Sequence, residues 1–169
     1  MTPLGLDFFL CSLILLPALT AVFVVLIPRF DMVAVRQIVT SVLIIWLGAL
    51  LTCGFNLHES REKMIITFDV EPWFNVNHAF TLSFSFIQAM LLFALWCALF
   101  SLYVLGKQIV EKNGLLFSSL SMLLVSTSSL AILSQNTQIS IILAHFTSLM
   151  FLFIVAHYGG SHKGRALFM

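Results

Sequence analysis

Charged residues are scarce in this sequence of 169 amino acids. Lys, Arg, Asp and Glu make up 9% of the chain, whereas 60% of the residues are hydrophobic and the mean hydropathy is +1.08. A soluble domain of this size needs a polar surface that such a composition does not supply. The formal net charge of +1 also excludes the broad basic field of a nucleic-acid-binding protein. The composition therefore indicates a protein that lies in a lipid bilayer.

Cysteine is also scarce, which limits the chemistry that the chain could carry. Cys11, Cys53 and Cys97 lie in or beside apolar runs without a CxxC or Cys/His pairing, so we predict neither a disulfide framework nor a zinc site. The sequence also lacks a nucleophile–base pair, paired carboxylates and a phosphate-binding loop. We therefore predict no catalytic site, no metal and no cofactor in this chain. Any enzymatic activity would belong to a complex of which it is a subunit.

A cleavable signal peptide is not indicated at the N-terminus. No basic region precedes the first apolar run, and no small-x-small cleavage site follows it before Pro28 and Arg29. We interpret this first run as a helix that the protein retains.

Long apolar runs are what the sequence has in abundance. Crossing a hydrocarbon core of roughly 30 Å takes about 20 apolar residues in a helix. Five segments meet or approach that length, and they are residues 8–27, 33–53, 80–105, 115–133 and 139–157. We predict an all-α integral membrane protein with one membrane domain over residues 1–169. The loop 54–79, in which Pro72, Trp73 and Phe74 suit the headgroup level, is predicted to be a short amphipathic helix or a hairpin.

Basic residues predict the orientation of the helices, because Lys and Arg are retained on the cytoplasmic or matrix side. Six of the eight basic residues fall in the segments on one side, namely Arg29, Arg36, Lys107, Lys112, Lys163 and Arg165. The opposite side has Arg61 and Lys63 together with five acidic residues. We therefore expect the N-terminus in the periplasm or intermembrane space and the C-terminus in the cytoplasm or matrix.

Ionisable residues inside a membrane are costly and mark functional hypotheses. The clearest candidate is His145 in the fifth helix, which could pass protons because histidine titrates near neutral pH. Its alternative role is a neutral imidazole bonded to a neighbouring hydroxyl of Thr147, Ser148 or the Ser-rich fourth helix. His157 marks the interface at the far end of that helix. A haem or metal site formed by His78 and His145 is the weakest of these alternatives, because no further ligand accompanies them.

The fourth helix is rich in hydroxyl side chains, and the first contains a proline. Seven Ser and Thr residues lie between Ser118 and Ser129, and they suit either close helix packing or a polar water path. Pro17 removes one backbone hydrogen bond from the first helix, so a neighbouring helix should satisfy the freed carbonyl.

The order of these features resembles the N-terminal part of the antiporter-like, proton-pumping subunits of respiratory complex I and the related Mrp antiporters and membrane-bound hydrogenases. The resemblance rests on a Leu-Pro sequence in helix one at Leu16 and Pro17, on the Pro72-Trp73 pair, and on the charged segment 106–114. A polar turn at residues 134–138 and the spacing of helix five complete it. The match covers this chain but about a third of a typical family member.

The departures from the family are equally informative. The glycine of its first-helix motif is absent, and its Asp-Gly-Leu-Ser signature has no counterpart at residues 83–86. By spacing, its Trp-Glu pair and the following proline fall on Ala144, His145 and Met150. The buried lysines of the family lie on later helices. The resemblance therefore implies a truncated or split subunit with a degenerate proton path, completed by helices of another chain.

These observations support three hypotheses of different classes. The first is a membrane-arm subunit of a complex I-type NADH:quinone oxidoreductase, mainly structural, with His145 as a substitute for the lost glutamate. Its expected surroundings are the mitochondrial inner membrane or a bacterial plasma membrane, other membrane-arm subunits and bound lipids. The second is a membrane scaffold or assembly protein without a transport role. The third is a small independent transporter, whose only support is the Ser-rich fourth helix.

Overall fold

The computed structural model describes residues 3–26, 32–60, 64–68, 80–105 and 107–158 of the chain. In chain order the elements are α1 (Pro3–Leu26), α2 (Met32–Ser60), β1 (Met64–Phe68), β2 (Phe80–Phe84), α3 (Phe86–Leu105), α4 (Lys107–Leu133) and α5 (Thr137–Tyr158). Each of the five helices contains a stretch that is long and apolar enough to cross a membrane. The prediction of a multi-pass helical membrane protein with five spans is therefore confirmed.

The segment between α2 and α3 differs from a simple loop. Strands β1 and β2 pair in antiparallel fashion, with Met64 opposite Phe84 and Phe68 opposite Phe80. Of the two predicted alternatives, the hairpin is the one observed. The predicted third helix, residues 80–105, is therefore too long, because residues 80–84 form β2 and α3 begins at Phe86. Its apolar sequence continues through both elements, so hydropathy alone does not separate them. Pro72, Trp73 and Phe74 lie outside the described residues.

The second helix is longer at both ends than the sequence predicted. It begins at Met32 and continues to Ser60, so residues 54–60 of the predicted loop are helical. Arg36, which was counted with the inner loop, lies in the second turn of α2. A long side chain near a helix end can reach the interface, which makes this position compatible with a membrane span.

Helix α4 lies at the centre of the bundle. It packs against α1, α2, α3 and α5, whereas α5 packs chiefly on α4. Within the span of each helix, 39% of α4 is buried but only 6% of α5. The core between the helices is apolar and includes Leu13, Trp46, Leu92 and Met122, all fully buried. One face of α5 is thus the least covered surface of the described bundle.

Pro17 lies inside α1 and leaves the carbonyl of Leu13 without its usual helical donor. The indole Nε1 of Trp46 in α2 donates a hydrogen bond of 2.7 Å to that carbonyl. Both groups are inside the bundle, where an unsatisfied backbone carbonyl would be costly. A neighbouring helix therefore satisfies the carbonyl freed by Pro17, as the sequence predicted, and the donor is the buried Trp46.

A second tryptophan connects α3 to α2. The indole Nε1 of Trp96 donates a hydrogen bond of 2.8 Å to the carbonyl of Leu43. The ring of Trp96 also stacks between Phe93 and Phe100, with centroids 5.8 and 4.8 Å away. This stack gives one side of α3 a rigid aromatic ridge.

Polar groups join the α4–α5 turn to the hairpin. The Asn136 side chain accepts hydrogen bonds from the amides of Gln138 and Ile139 and so caps the N-terminus of α5. The amide of Gln135 donates to the carbonyl of Thr81 in β2 at 3.0 Å. Gln88 Nε2 donates to the carbonyl of Ile132 at 2.7 Å. These bonds hold the ends of α3, α4 and β2 together on one side of the bundle.

Gly114 interrupts α4 near the start of its membrane span. Its φ of 81° and ψ of −172° are not helical and fall in a region that is almost restricted to glycine. A Cβ added at this position would meet nothing within 4 Å, so the restriction comes from the backbone and not from crowding. Gly114 thus sets the angle between residues 107–113 and the span itself.

We expect Gly114→Ala to destabilise the protein by about 1–3 kcal/mol, the usual cost of placing a side chain in this region of φ and ψ. The matched control is Gly48→Ala, because Gly48 is within α2 and also has open space around a new Cβ. That control should be neutral or slightly stabilising, since alanine is the better helix former. Unfolding in mixed micelles measures both changes, and equal effects would contradict the role of the Gly114 backbone.

Candidate functional site

His145 lies on α5 at membrane depth. It is eight residues after Thr137, which corresponds to about 12 Å along the helix at a rise of 1.5 Å per residue. Its side chain is exposed on the described bundle and does not point into the packed core. An imidazole at this depth needs hydrogen-bond partners, because lipid tails offer none.

The hydrogen bond of His145 differs from the predicted one. Its Nδ1 lies 2.8 Å from the carbonyl of Ile141, one turn earlier in the same helix. The predicted partners Thr147 and Ser148 instead donate to the carbonyls of Leu143 and Ala144 at 2.8 Å. The helix itself therefore satisfies one ring nitrogen. Among the residues that the structure describes, no atom is hydrogen-bonded to Nε2.

A shallow groove follows the contact between α4 and α5. It is lined by Leu124 of α4 and by Thr147, Ser148, Phe151 and Leu152 of α5, and its volume is about 430 Å³. Thr147 Oγ1 also lies 3.3 Å from Thr127 Oγ1 across the two helices. The groove is on the same helix as His145 and begins within one turn of it. Together, His145 and this groove form the part of α5 that carries polar atoms at membrane depth.

Two serines of α4 bond directly to α1. Ser119 Oγ donates to the carbonyl of Ala21 at 2.8 Å, and Ser126 Oγ donates to the carbonyl of Ile14 at 2.9 Å. The two serines are seven residues apart and so lie on one face of the helix. On this face the hydroxyls serve close packing, which was one of the two predicted roles for the Ser-rich helix.

A second set of hydroxyls is buried between α3 and α4. The Tyr103 hydroxyl is in short hydrogen-bond contact with Ser121 Oγ, and Ser121 Oγ donates to the carbonyl of Ser118 at 2.8 Å. Tyr103 and Ser118 are fully buried. Periodicity did not single out Tyr103, because a lone tyrosine near the end of an apolar run usually marks the interface.

The side chains of Ser118 and Ser129 have no hydrogen-bond partner among the described residues. A serine in a helix usually donates to the carbonyl four residues earlier. For Ser118 that residue is Gly114, whose non-helical ψ turns the carbonyl away from the helix axis. The α4 hydroxyls of Ser118, Ser121, Ser126 and Ser129 are all buried inside the described bundle, so they do not line an open pore there.

The sequence also singled out His157 and His78. His157 lies in the last turn of α5, as expected for a residue at the end of a span. His78 lies outside the described residues, so the pairing of His78 with His145 is not described. Among the described residues, no group of three His, Cys, Asp or Glu side chains could hold a metal ion.

The structure also describes several of the positions that the resemblance compares with motifs of the antiporter-like family. Ala144 is exposed beside His145, and Met150 is half-buried within the continuous helix α5. Ser83 and Phe84 belong to β2 and Phe86 begins α3, so the positions compared with the family signature span the junction of the strand and the helix. Comparison with known proteins adds no assignment, since no family model, curated protein or solved structure matches this chain.

Proposed function

We propose that this bundle forms the N-terminal part of an antiporter-like subunit in the membrane arm of a complex I-type NADH:quinone oxidoreductase. The membrane would be the mitochondrial inner membrane or a bacterial plasma membrane. The proposal starts from the resemblance in helix order and loop spacing. The observation that carries it furthest is the α5 surface with His145.

The α5 surface is where further helices are needed. His145 exposes an imidazole about 12 Å along a membrane-spanning helix, and Nε2 has no partner among the described residues. A single helix packed chiefly on α4 cannot shield that group from lipid. An antiporter-like subunit would cover this face of α5 with its later helices and would supply polar partners for the imidazole.

The role that we propose is mainly structural. Of the α4 hydroxyls, Ser119 and Ser126 are occupied by bonds to α1, and Ser121 bonds to Tyr103 of α3. His145 would stand where the family has the glutamate of its proton path. It would pass a proton by taking it up and releasing it at Nε2, while the Nδ1 hydrogen stays bonded to the carbonyl of Ile141. We further propose that the N-terminus is outside and the C-terminus inside, from the distribution of the basic residues.

The test begins with the native complex. Mass spectrometry of the complex that contains this chain should find quinone-reductase or hydrogenase subunits, and their absence would refute the proposal. In that complex, His145→Phe should reduce proton pumping while NADH oxidation continues. His145→Glu should retain pumping, because glutamate restores a titratable group at this position. Leu149→Phe is the matched control, since Leu149 is exposed one turn further along the same face.

A scaffold or assembly protein without transport is the second candidate. It is favoured by the direct packing of α4 serines on α1. Normal pumping by an intact complex with His145→Phe would select this candidate over the first. Complex assembly must be measured in the same samples, because loss of assembly would also stop pumping.

A further inference from the structure

The surface of α5 that faces away from α4 carries two polar side chains at membrane depth. They are His145 and Ser148, which are exposed on the described bundle and lie about 12 and 16 Å along the helix from Thr137. Side chains three residues apart in a helix are neighbours, with Cβ atoms roughly 5–6 Å from each other. His145 and Ser148 therefore form one polar patch, the α5 patch, beside the exposed apolar side chains of Ile141 and Leu149.

The hydrogens that the α5 patch can donate are already used within α5. A carbonyl oxygen only accepts, so the contact of 2.8 Å between Nδ1 of His145 and the carbonyl of Ile141 places the imidazole hydrogen on Nδ1. Nε2 of the neutral ring then has no hydrogen and can only accept. Ser148 Oγ donates its one hydrogen to the carbonyl of Ala144 at 2.8 Å, which leaves its lone pairs. The α5 patch therefore presents two acceptors and no donor.

Acceptors at this depth need donors that lipid tails do not supply. Within the part of the chain that the structure describes, no donor reaches Nε2 of His145 or the lone pairs of Ser148 Oγ. A second copy of this chain is a poor match for the α5 patch. Two copies inserted in the same orientation and related by a twofold axis bring residues of equal depth together, so acceptors would face acceptors.

We propose that the α5 patch binds a transmembrane helix of another chain through an uncharged hydrogen-bond donor, for which the side-chain amide of Asn or Gln fits best. An amide nitrogen has two hydrogens and can bond to both acceptors at once. Lys or Arg would also donate, but the five described spans contain no Asp or Glu to neutralise a buried cation. The inference rests on the proposed function for the expectation that further helices cover α5, and it adds the chemistry of the helix in contact.

Photocross-linking of the full chain in its native membrane tests this proposal. The photoreactive residue p-benzoylphenylalanine replaces Leu149, which is 64% exposed and one turn from His145. It should cross-link to a transmembrane helix of another chain, and mass spectrometry should find an uncharged donor within one turn of the attachment site. The control probe replaces Leu19, which is 65% exposed on α1, and should not give that product.

Acceptor variants, combined with the probe at Leu149, separate hydrogen bonding from packing. His145→Phe together with Ser148→Ala removes both acceptors and should lower the cross-link yield roughly tenfold, which corresponds to about 1.4 kcal/mol of association free energy. His145→Gln keeps an acceptor and should retain most of the yield. Thr147→Ala is the matched control, because it deletes an α5 hydroxyl that lies 3.3 Å from Thr127 on the α4 side. Equal amounts of each variant in the membrane exclude loss of folding as the cause.

The proposal would be overturned by a cross-link from the Leu149 position to a second copy of this chain, or by no cross-link to protein. It would equally be overturned by a contacting helix whose only donor is Lys or Arg, or that has none, and by a double variant that cross-links like the wild type. If such a helix came from a complex with quinone-reductase or hydrogenase subunits, the proposed function would stand. A complex without those subunits would refute the proposed function, whatever the donor.

Discussion

Trp46→Phe is expected to lower the free energy of unfolding by about 2–4 kcal/mol, from lost buried volume and from a carbonyl left unpaired inside the membrane domain. The fully buried Trp46 donates to the carbonyl of Leu13, which has lost its helical donor to Pro17. Because Trp46 replaces the donor that Pro17 removes, the effects of mutating these two residues on stability should be coupled. With Pro17→Ala the amide of residue 17 can bond to Leu13, so Trp46→Phe should then cost less.

A double-mutant cycle in mixed micelles measures that coupling, which we expect to be about 1–3 kcal/mol, the cost of one buried unsatisfied group. Trp96→Phe is the comparison variant. Its acceptor, the carbonyl of Leu43, lies within α2, where the amide four residues later is available. Trp96→Phe should show no coupling to Pro17→Ala. Additive effects of Trp46→Phe and Pro17→Ala would contradict the role assigned to the indole.

Ser126→Leu is expected to destabilise the bundle by about 2–3 kcal/mol, because it forces a larger side chain between α4 and α1. Ser126 is 7% exposed and bonds to the carbonyl of Ile14. Ser126→Ala should cost only about 0.6 kcal/mol, the average for an interhelical hydrogen bond in a membrane protein. The large difference between the two variants separates close packing from hydrogen bonding as the main role of this serine.

The control for Ser126→Leu is Ser101→Leu, which adds the same side chain on an exposed position of α3. It should be nearly neutral, since leucine is well solvated by lipid. Stability against SDS is the measurement for all three variants. If Ser126→Leu were as mild as its control, the α1–α4 contact would not be the tightly packed interface described above.

Long-range contacts decided the features that hydropathy did not predict. Strand β2 lies in apolar sequence that continues into α3, and only its pairing with β1 separates it from the helix. The sequence predicts that a neighbouring helix bonds to the carbonyl freed by Pro17. It does not identify the donor, because Trp46 is 33 residues from Leu13. The bonds of His145, Thr147 and Ser148 to carbonyls of their own helix were also not predicted, although these contacts are local. Polar side chains in apolar helices find the nearest carbonyl first.

What the sequence by itself determined is the number of membrane helices and their approximate positions. Those depend on the length and hydropathy of each run, which are local properties. The tertiary structure decided which side of each helix is covered. It turned Ser119 and Ser126 toward α1, buried Tyr103 against α4 and left His145 on an exposed face of α5. Lipid and protein interiors are equally apolar, so hydrophobic periodicity does not distinguish the faces of a membrane helix, and only packing between helices does.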